Sequence, residues 1–193
     1  MDQNIELIGG IEKREIQVIS YNRAWPERFL WERARIAGAI GSLALRIGHV
    51  GSTAVPGLAA KPIIDIQVSV GNPEDEASYL APLLIAGYHL RVREPGHRMA
   101  RTLHRDVHVH ICGTGSDWER RHLLFRDWLR RDTRDRDAYQ RLKQDLARQD
   151  WPDMNAYADA KGPLINEITQ RAETWARATC WTPSSGTADG RGG

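Results

Sequence analysis

The sequence predicts an α+β fold: a small mixed β-sheet with packed helices and a C-terminal helical layer. Three observations carry this expectation. Short runs of alternating apolar and polar residues, the period of a half-buried strand, recur through roughly the first 115 positions. Two segments of helical period interrupt them. From Ser116 onward the period becomes helical and stays so to about Thr179, and strands followed by a block of helices mark an α+β chain.

Taken in order, residues 1–13 read as a loose, flexible leader, and EIQVISY (15–21) has strand composition. Asn22 and Pro26 bracket a turn into WPERFLWERARIAGAIGSLAL (25–45), where Phe29, Ile36 and Ile40 share a helical face opposite Arg and Glu. RIGHV (46–50) is a short strand, a Gly/Pro-rich loop follows, and PIIDIQVSV (62–70) is the next strand. Pro73 with Glu74, Asp75 and Glu76 suits a helix N-terminus, where acids complement the helix dipole, and Gly87 ends that helix after Ile85. YHLRVR (88–93) and MARTLHR (99–105) pair across Pro95-Gly96, and DVHVHIC (106–112) is a further strand closed by GTGS. Ser116 with Glu119 three residues on has the form of a capping box opening the helical region, which is broken near Asp132–Asp135 and at Pro152. The order is β-α-β-β-α-β-β-β then α-α-α. One domain is expected over 14–181, its sheet part about 14–115 and its helical part about 116–181, with 182–193 a disordered tail poor in apolar residues.

Bulk properties narrow the functions. The 193 residues hold 27 basic and 25 acidic side chains, a near-balance that argues against the basic footprint of a duplex-binding protein and leaves local basic clusters for small anions. Cys112 and Cys180 match no metal-ligand spacing and read as reduced thiols. MDQNIELIGGIEKREI lacks the basic-then-apolar order of a secretory signal, and no apolar run reaches membrane-spanning length, so a cytoplasmic protein without membrane contact is expected.

Two strands each have one polar face. Side chains alternate along a strand, so Ile64, Ile66, Val68 and Val70 point one way and Ile63, Asp65, Gln67 and Ser69 the other. In the later strand Val107, Val109 and Ile111 form the apolar face, while Asp106, His108, His110 and Cys112 form its opposite. His108 and His110 therefore stand parallel, Cα atoms roughly 6.5–7 Å apart. If the strands are neighbours, the pair and Asp65 make two imidazoles and a carboxylate, a known open metal site. The bland alternative is a solvated strand face on which the histidines are incidental.

Gly51-Ser52, after a strand, is equipment for cradling phosphate, and Lys61 adds a point charge nearby. Alone this is a weak signal, since Gly-Ser is commonly a plain turn. The larger block HVGSTAVPGLAAKPIIDIQV, however, resembles the signature of the GrpB family, of the nucleotidyltransferase-like (DNA polymerase beta-type) superfamily. The resemblance extends to YNRAWPERF (21–29), HVHI (108–111), FRDWLRRDTRDRDAYQRLKQDLA (125–147) and AYADAKGPLINEI (156–168). It implies a nucleotidyltransferase-like fold with a Gly-Ser turn at a triphosphate, here Gly51 and Ser52. It also implies an acid-x-acid pair on the following strand and a third acid on a later one, which together hold two Mg²⁺ ions for in-line transfer. Asp65 matches the first acid and is the candidate catalytic residue and metal ligand. Gln67 stands where the second acid belongs, and His108 and His110 where the third would be brought, which makes all three candidate metal ligands beside Asp65. The resemblance implies Mg or Mn as the divalent cofactor, and because imidazole suits Zn, Mn, Fe or Ni better than Mg, the His pair makes Zn possible.

The helical end repeats Ala-Tyr-x-x-x-Lys, as AYQRLK (138–143) and AYADAK (156–161). Residues four apart share a helical face, so Tyr139/Lys143 and Tyr157/Lys161 can point jointly at a cleft, Lys143 and Lys161 binding phosphate. Equally, the tyrosines can pack while the lysines snorkel. Arg91, Arg93, Arg98 and Arg101 add charge near the presumed cleft, some of them reading equally as ordinary exposed strand residues; RDTRDRD (131–137) reads as a solvated helix junction, and the tryptophans at 118, 128, 151, 175 and 181 read as interhelical packing.

These readings point first to an enzyme that binds a nucleoside triphosphate and a divalent metal and transfers a nucleotidyl group to a small-molecule acceptor. Gln67 keeps open a non-catalytic nucleotide-binding or interaction module of the same fold. The His pair keeps open a metal-dependent enzyme of another class built on Asp65, His108 and His110.

Overall fold

The computed structural model describes residues 5–13 and 15–183. Its centre is a six-stranded mixed sheet: β1 (Glu6–Leu7), β2 (Arg46–Val50), β3 (Ile64–Val70), β4 (His89–Glu94), β5 (His97–Arg101) and β6 (Val107–Gly113), in spatial order β1-β4-β5-β6-β3-β2. β3 and β6 are parallel and central, and every other pairing is antiparallel. The β3–β6 register sets Asp65 beside His108 and Gln67 beside His110.

The apolar faces inferred from alternation are the core. Ile64, Ile66, Val68, Val70, Val107, Val109 and Ile111 pack against Trp25, Ile36 and Ile40 of α1 (Trp25–Ile40) and Tyr79 and Leu83 of α2 (Glu76–Ile85). On the opposite face run α3 (Asp117–Arg131), α4 (Thr133–Ala147), the short α5 (Met154–Asp159) and α6 (Gly162–Thr179). Ser116 caps α3, accepting from the Glu119 amide at 3.2 Å. Glu119 does not close the box on Ser116: its buried carboxylate accepts from Gly115 N–H, the Ser69 hydroxyl and Arg46, tying α3 to β3 and β2. Leu129, Tyr139 and Ile168 form a second core with Val55 and Leu58 of the loop after β2, so the helical layer is packed onto that loop.

Several expectations are corrected. EIQVISY forms no strand: Ile19 makes one bridge to Ala60, and Ile16 and Val18 are only half-buried. The leader, where described, is not loose, since β1 pairs with β4 and Glu12 binds Arg101. The helix from Trp25 ends at Ile40, where Gly41 turns it into a single 3-10 turn. The strand expected over 99–105 is His97–Arg101, and the chain then turns, with Arg105 at φ 60°. RDTRDRD is not simply solvated: Asp132 caps α4, and buried Asp135 takes a forked ion pair from Arg171 and the indole N–H of Trp128. The four arginines are structural rather than cleft charges. Arg91 donates to the Ile8 and Gly10 carbonyls, Arg93 and Arg98 bind Glu76, and Arg101 binds Glu12. Both cysteines are free thiols, Cys112 buried and Cys180 exposed. Of the proposed tail, 184–193 lie outside the described residues. Among the described residues no helix is long and apolar enough to cross a membrane.

Candidate functional site

β2 delivers the chain to Gly51 at the sheet edge, and the geometry there admits only glycine. Gly51 has φ 69° and ψ −171°, a region essentially closed to other residues. A Cβ at this position would lie 2.5 Å from Asp65 Oδ2. The turn thus sits directly against the carboxylate that β3 presents. Ser52 opens a 3-10 turn through Ala54, which other side chains hold in place. Thr53 donates to the Ile63 carbonyl at 3.0 Å and meets His49 Nε2 at 3.0 Å, while Arg130 and Arg126 of α3 donate to the carbonyls of Ala54 and His49. Burial holds the His49 imidazole down to about 3, so it is neutral.

Asp65, His108 and His110 converge as the alternation and register require. His108 Nδ1 lies 3.4 Å and His110 Nε2 3.5 Å from Asp65 Oδ1. One ligand atom from each lies within 4.8 Å of the others. Burial pushes the Asp65 carboxyl up, but the imidazoles of His108 and His110 beside it outweigh that and hold the group well below the usual carboxylate range. Gln67 does not join this set. It is fully buried beneath α3, its amide N–H₂ 3.5 Å from Ser69 Oγ and its carbonyl oxygen without a partner among the described residues.

A cavity of about 470 Å³ opens in front of the carboxylate, between the sheet and the helical layer. Gly51, Ser52, Lys61, Asp65, His108, Lys143 and Lys161 all border it. The two Tyr/Lys pairs do face one cleft. Lys143 Nζ is 4.8 Å from the Tyr139 ring centre, and Lys61 and Lys161 flank the Tyr157 ring at 5.0 and 4.7 Å. Lys143 is anchored by donating to the Ala59 carbonyl. Burial, with Lys161 nearby, lowers its ammonium to about 7, and burial also lowers Lys161, against the pull of Asp65. Ser52 stands beside the Tyr139 hydroxyl, whose pKa burial raises.

Residues that the sequence pattern does not single out complete the wall. Trp118, read from sequence as packing, instead stacks on His122, His97 and His110, with ring centres 3.7, 4.4 and 5.3 Å away. His97 Nε2 meets His110 Nδ1 at 3.1 Å, and His97 Nδ1 meets Glu94 Oε1 at 2.5 Å. The available signal was the turn Glu94-Pro95-Gly96-His97, which sets the outer two residues opposite each other in the β4–β5 hairpin. By contrast Trp128, Trp175 and Trp181 pack between helices as expected.

The fold and site together define an α+β protein with a lysine-bordered cavity between a mixed sheet and a helical layer, Asp65 and His108 on its lining and His110 beside them. The chain belongs to the GrpB family, whose profile, described as GrpB protein, matches residues 15–171. It is 51% identical over 168 residues to the UPF0157 protein SCO7215 of Streptomyces coelicolor, covering 87% of this chain and 90% of that one. The dephospho-CoA kinase of Mycolicibacterium paratuberculosis is 31% identical over 202 residues, covering 90% of this chain but 50% of the kinase. Among solved structures, the conserved protein GrpB from Enterococcus faecalis superposes with a TM-score of 0.73 at 32% identity, over 82% of this chain and 99% of that one. A chain of the GLD-2/RNP-8 complex superposes at 0.54 with 14% identity, over 88% of this chain and 70% of that one, a likeness of fold.

Proposed function

We propose that the protein is a nucleotidyltransferase-like enzyme that binds a nucleoside triphosphate with a divalent metal and transfers a nucleotidyl group to a small-molecule acceptor. One observation carries this reading. Gly51, Ser52, Lys61, Asp65, His108, Lys143 and Lys161, from segments far apart in sequence, border the same cavity. Lys61, Lys143 and Lys161 face one carboxylate, and a polyanion entering the cavity would favour the charged form of the two lysines that burial lowers. The Ser52 hydroxyl and the amides of the turn supply neutral donors of the kind that cradle phosphate. The similarity of a dephospho-CoA kinase region fits a setting of nucleotide and phosphate chemistry.

The residues fit a metal. Asp65, His108 and His110 offer one oxygen and two nitrogens within 4.8 Å of one another, a set suited to Zn, Mn or Fe more than to Mg. Bound there, the ion would act as a Lewis acid toward phosphate oxygens. The chain's own part is positional: Gly51 lets the turn approach Asp65, the lysines neutralise the remaining phosphate charge, and the walls of Phe125, Tyr139 and Tyr157 exclude water. Transfer forms an oxygen–phosphorus bond from the acceptor hydroxyl to the α-phosphorus and breaks the α–β phosphoanhydride bond, so that pyrophosphate leaves and the hydroxyl proton passes to solvent.

A second reading is favoured by Gln67. With it buried, the site has one carboxylate where the superfamily pattern calls for two or three, as expected of a nucleotide-binding module without turnover. Metal-dependent pyrophosphate release across a panel of triphosphates and acceptors separates the two. The enzyme reading predicts release that Asp65→Asn abolishes. Binding without release supports the module, and no nucleotide binding with any divalent ion defeats both.

A further inference from the structure

We propose that Glu94 and His97 are positioning residues for His110, fixing its tautomer so that Nε2 presents a lone pair to a metal shared with Asp65 and His108. This inference rests on the metal-site reading above. The hydrogen-bonding logic runs inward from the protein side. A carboxylate can only accept, so the 2.5 Å contact between Glu94 Oε1 and His97 Nδ1 places the His97 proton on Nδ1. His97 is 5% exposed and so disfavours a second proton; its Nε2 is then an acceptor. Its partner at 3.1 Å, His110 Nδ1, is therefore the donor. When His110 is neutral, that proton stays on Nδ1 and the lone pair lies on Nε2, aimed at Asp65 Oδ1 3.5 Å away.

Two acceptors then face each other across a gap too long for a strong hydrogen bond, which is an arrangement for a cation. Metal-ligating histidines characteristically donate their other ring N–H to a partner that fixes ring and tautomer. Here that partner is a second histidine backed by a carboxylate. The geometry is held on two sides. The Pro95-Gly96 turn pairs Glu94 with His97 in the hairpin register. The Trp118 indole stacks on His97 at an interplanar angle of 15°, so that ring is held in its plane.

The test combines one spectrum with one titration, both on the full chain. Ring ¹⁵N shifts of histidine in the metal-free protein at pH 8 report each tautomer. His110 protonated on Nδ1 supports the proposal, and His110 protonated on Nε2 overturns it, whatever any variant does. Zn²⁺ and Mn²⁺ are then titrated calorimetrically into wild type and His97→Phe, which keeps a ring against Trp118 but removes the acceptor. The expected result is a loss of affinity of about 10–100-fold. Glu94→Gln, whose amide oxygen still accepts from His97, is expected to lose much less than Glu94→Leu. Wild-type affinity in a folded His97→Phe protein overturns the positioning role and leaves the metal site standing. Failure of wild type to bind either ion overturns both.

Discussion

Gly51→Ala is the substitution whose consequences the structure specifies most fully. Two penalties coincide at this position. The backbone, at φ 69° and ψ −171°, lies where an L residue with a Cβ is strained, at a cost of about 1–3 kcal/mol. The new methyl would also stand 2.5 Å from Asp65 Oδ2 and 3.0 Å from its Cβ. No flexible chain end can yield there, because the carboxylate is fixed by β3 and faces two imidazoles. Moving it adds a further cost of about 1 kcal/mol, that of a weakened charge-assisted contact. Together about 2–4 kcal/mol corresponds to a fall in Tm of about 4–16 °C for a domain of this size. Gly57→Ala is the control: its φ is 79°, but nothing lies within 4 Å of an added Cβ, so it has backbone strain without collision. Thermal melts of both variants, with Zn²⁺ titration, check the reasoning. Gly51→Ala should melt below Gly57→Ala and lose metal affinity, whereas Gly57→Ala should keep it. Equal melting temperatures and unchanged metal binding in Gly51→Ala would refute the close-approach argument.

Two further outcomes depend on pH. Lys143 is lowered to about 7 by burial, so between pH 7 and about 10 the unfolded chain binds a proton that the native state does not. Stability should therefore rise with pH across that window, by at most about 1.4 kcal/mol per pH unit. Urea melts should show a slope there that is reduced in Lys143→Met, and identical slopes would count against the assignment. Because a polyanion favours the charged ammonium, triphosphate binding at pH 8 should also take up a proton, read as a dependence of binding enthalpy on buffer ionisation. Glu76, held down to about 2 chiefly by its hydrogen bond from Arg93 and also by Arg98, behaves oppositely. Its contribution is present above pH 4.5 and lost as pH falls from there toward 2. Discounted for partial exposure, it is about 2 kcal/mol, and acid titration of Glu76→Gln should lack that part of the transition.

What the sequence reveals and what it conceals follow from the range of each interaction. Alternation in 63–70 and 106–112 is a local signal. It therefore gave the core face and the polar face correctly, and register then had only to bring Asp65 beside His108. The Tyr/Lys pairs were legible as helical spacing, but their common cavity depends on how α4 and α5 pack on the loop after β2. β1 was illegible because two residues carry no period, and their pairing is fixed by β4, more than 80 positions away. EIQVISY shows the converse, strand composition without a sheet edge to extend. Charge patterning alone cannot distinguish a cleft arginine from one that binds Glu76 or Glu12, and so Arg91, Arg93, Arg98 and Arg101 were misplaced. Trp118 was read as helix packing and His97 was overlooked because a stack of indole on imidazoles joins α3 to β5 and β6, and neither residue lies in a motif.

On the proposed reading, one cavity holds a metal at Asp65, His108 and His110 and a triphosphate against the Gly51-Ser52 turn. Crystals grown with Mn²⁺ or Zn²⁺ and a non-hydrolysable nucleoside triphosphate test it most directly, by anomalous scattering at the metal's absorption edge. An anomalous peak bonded to Asp65 and both imidazoles is expected, with phosphate density between that peak and Lys61, Lys143 and Lys161. Ordered nucleotide elsewhere on the protein, or a metal peak away from these three side chains, would contradict it.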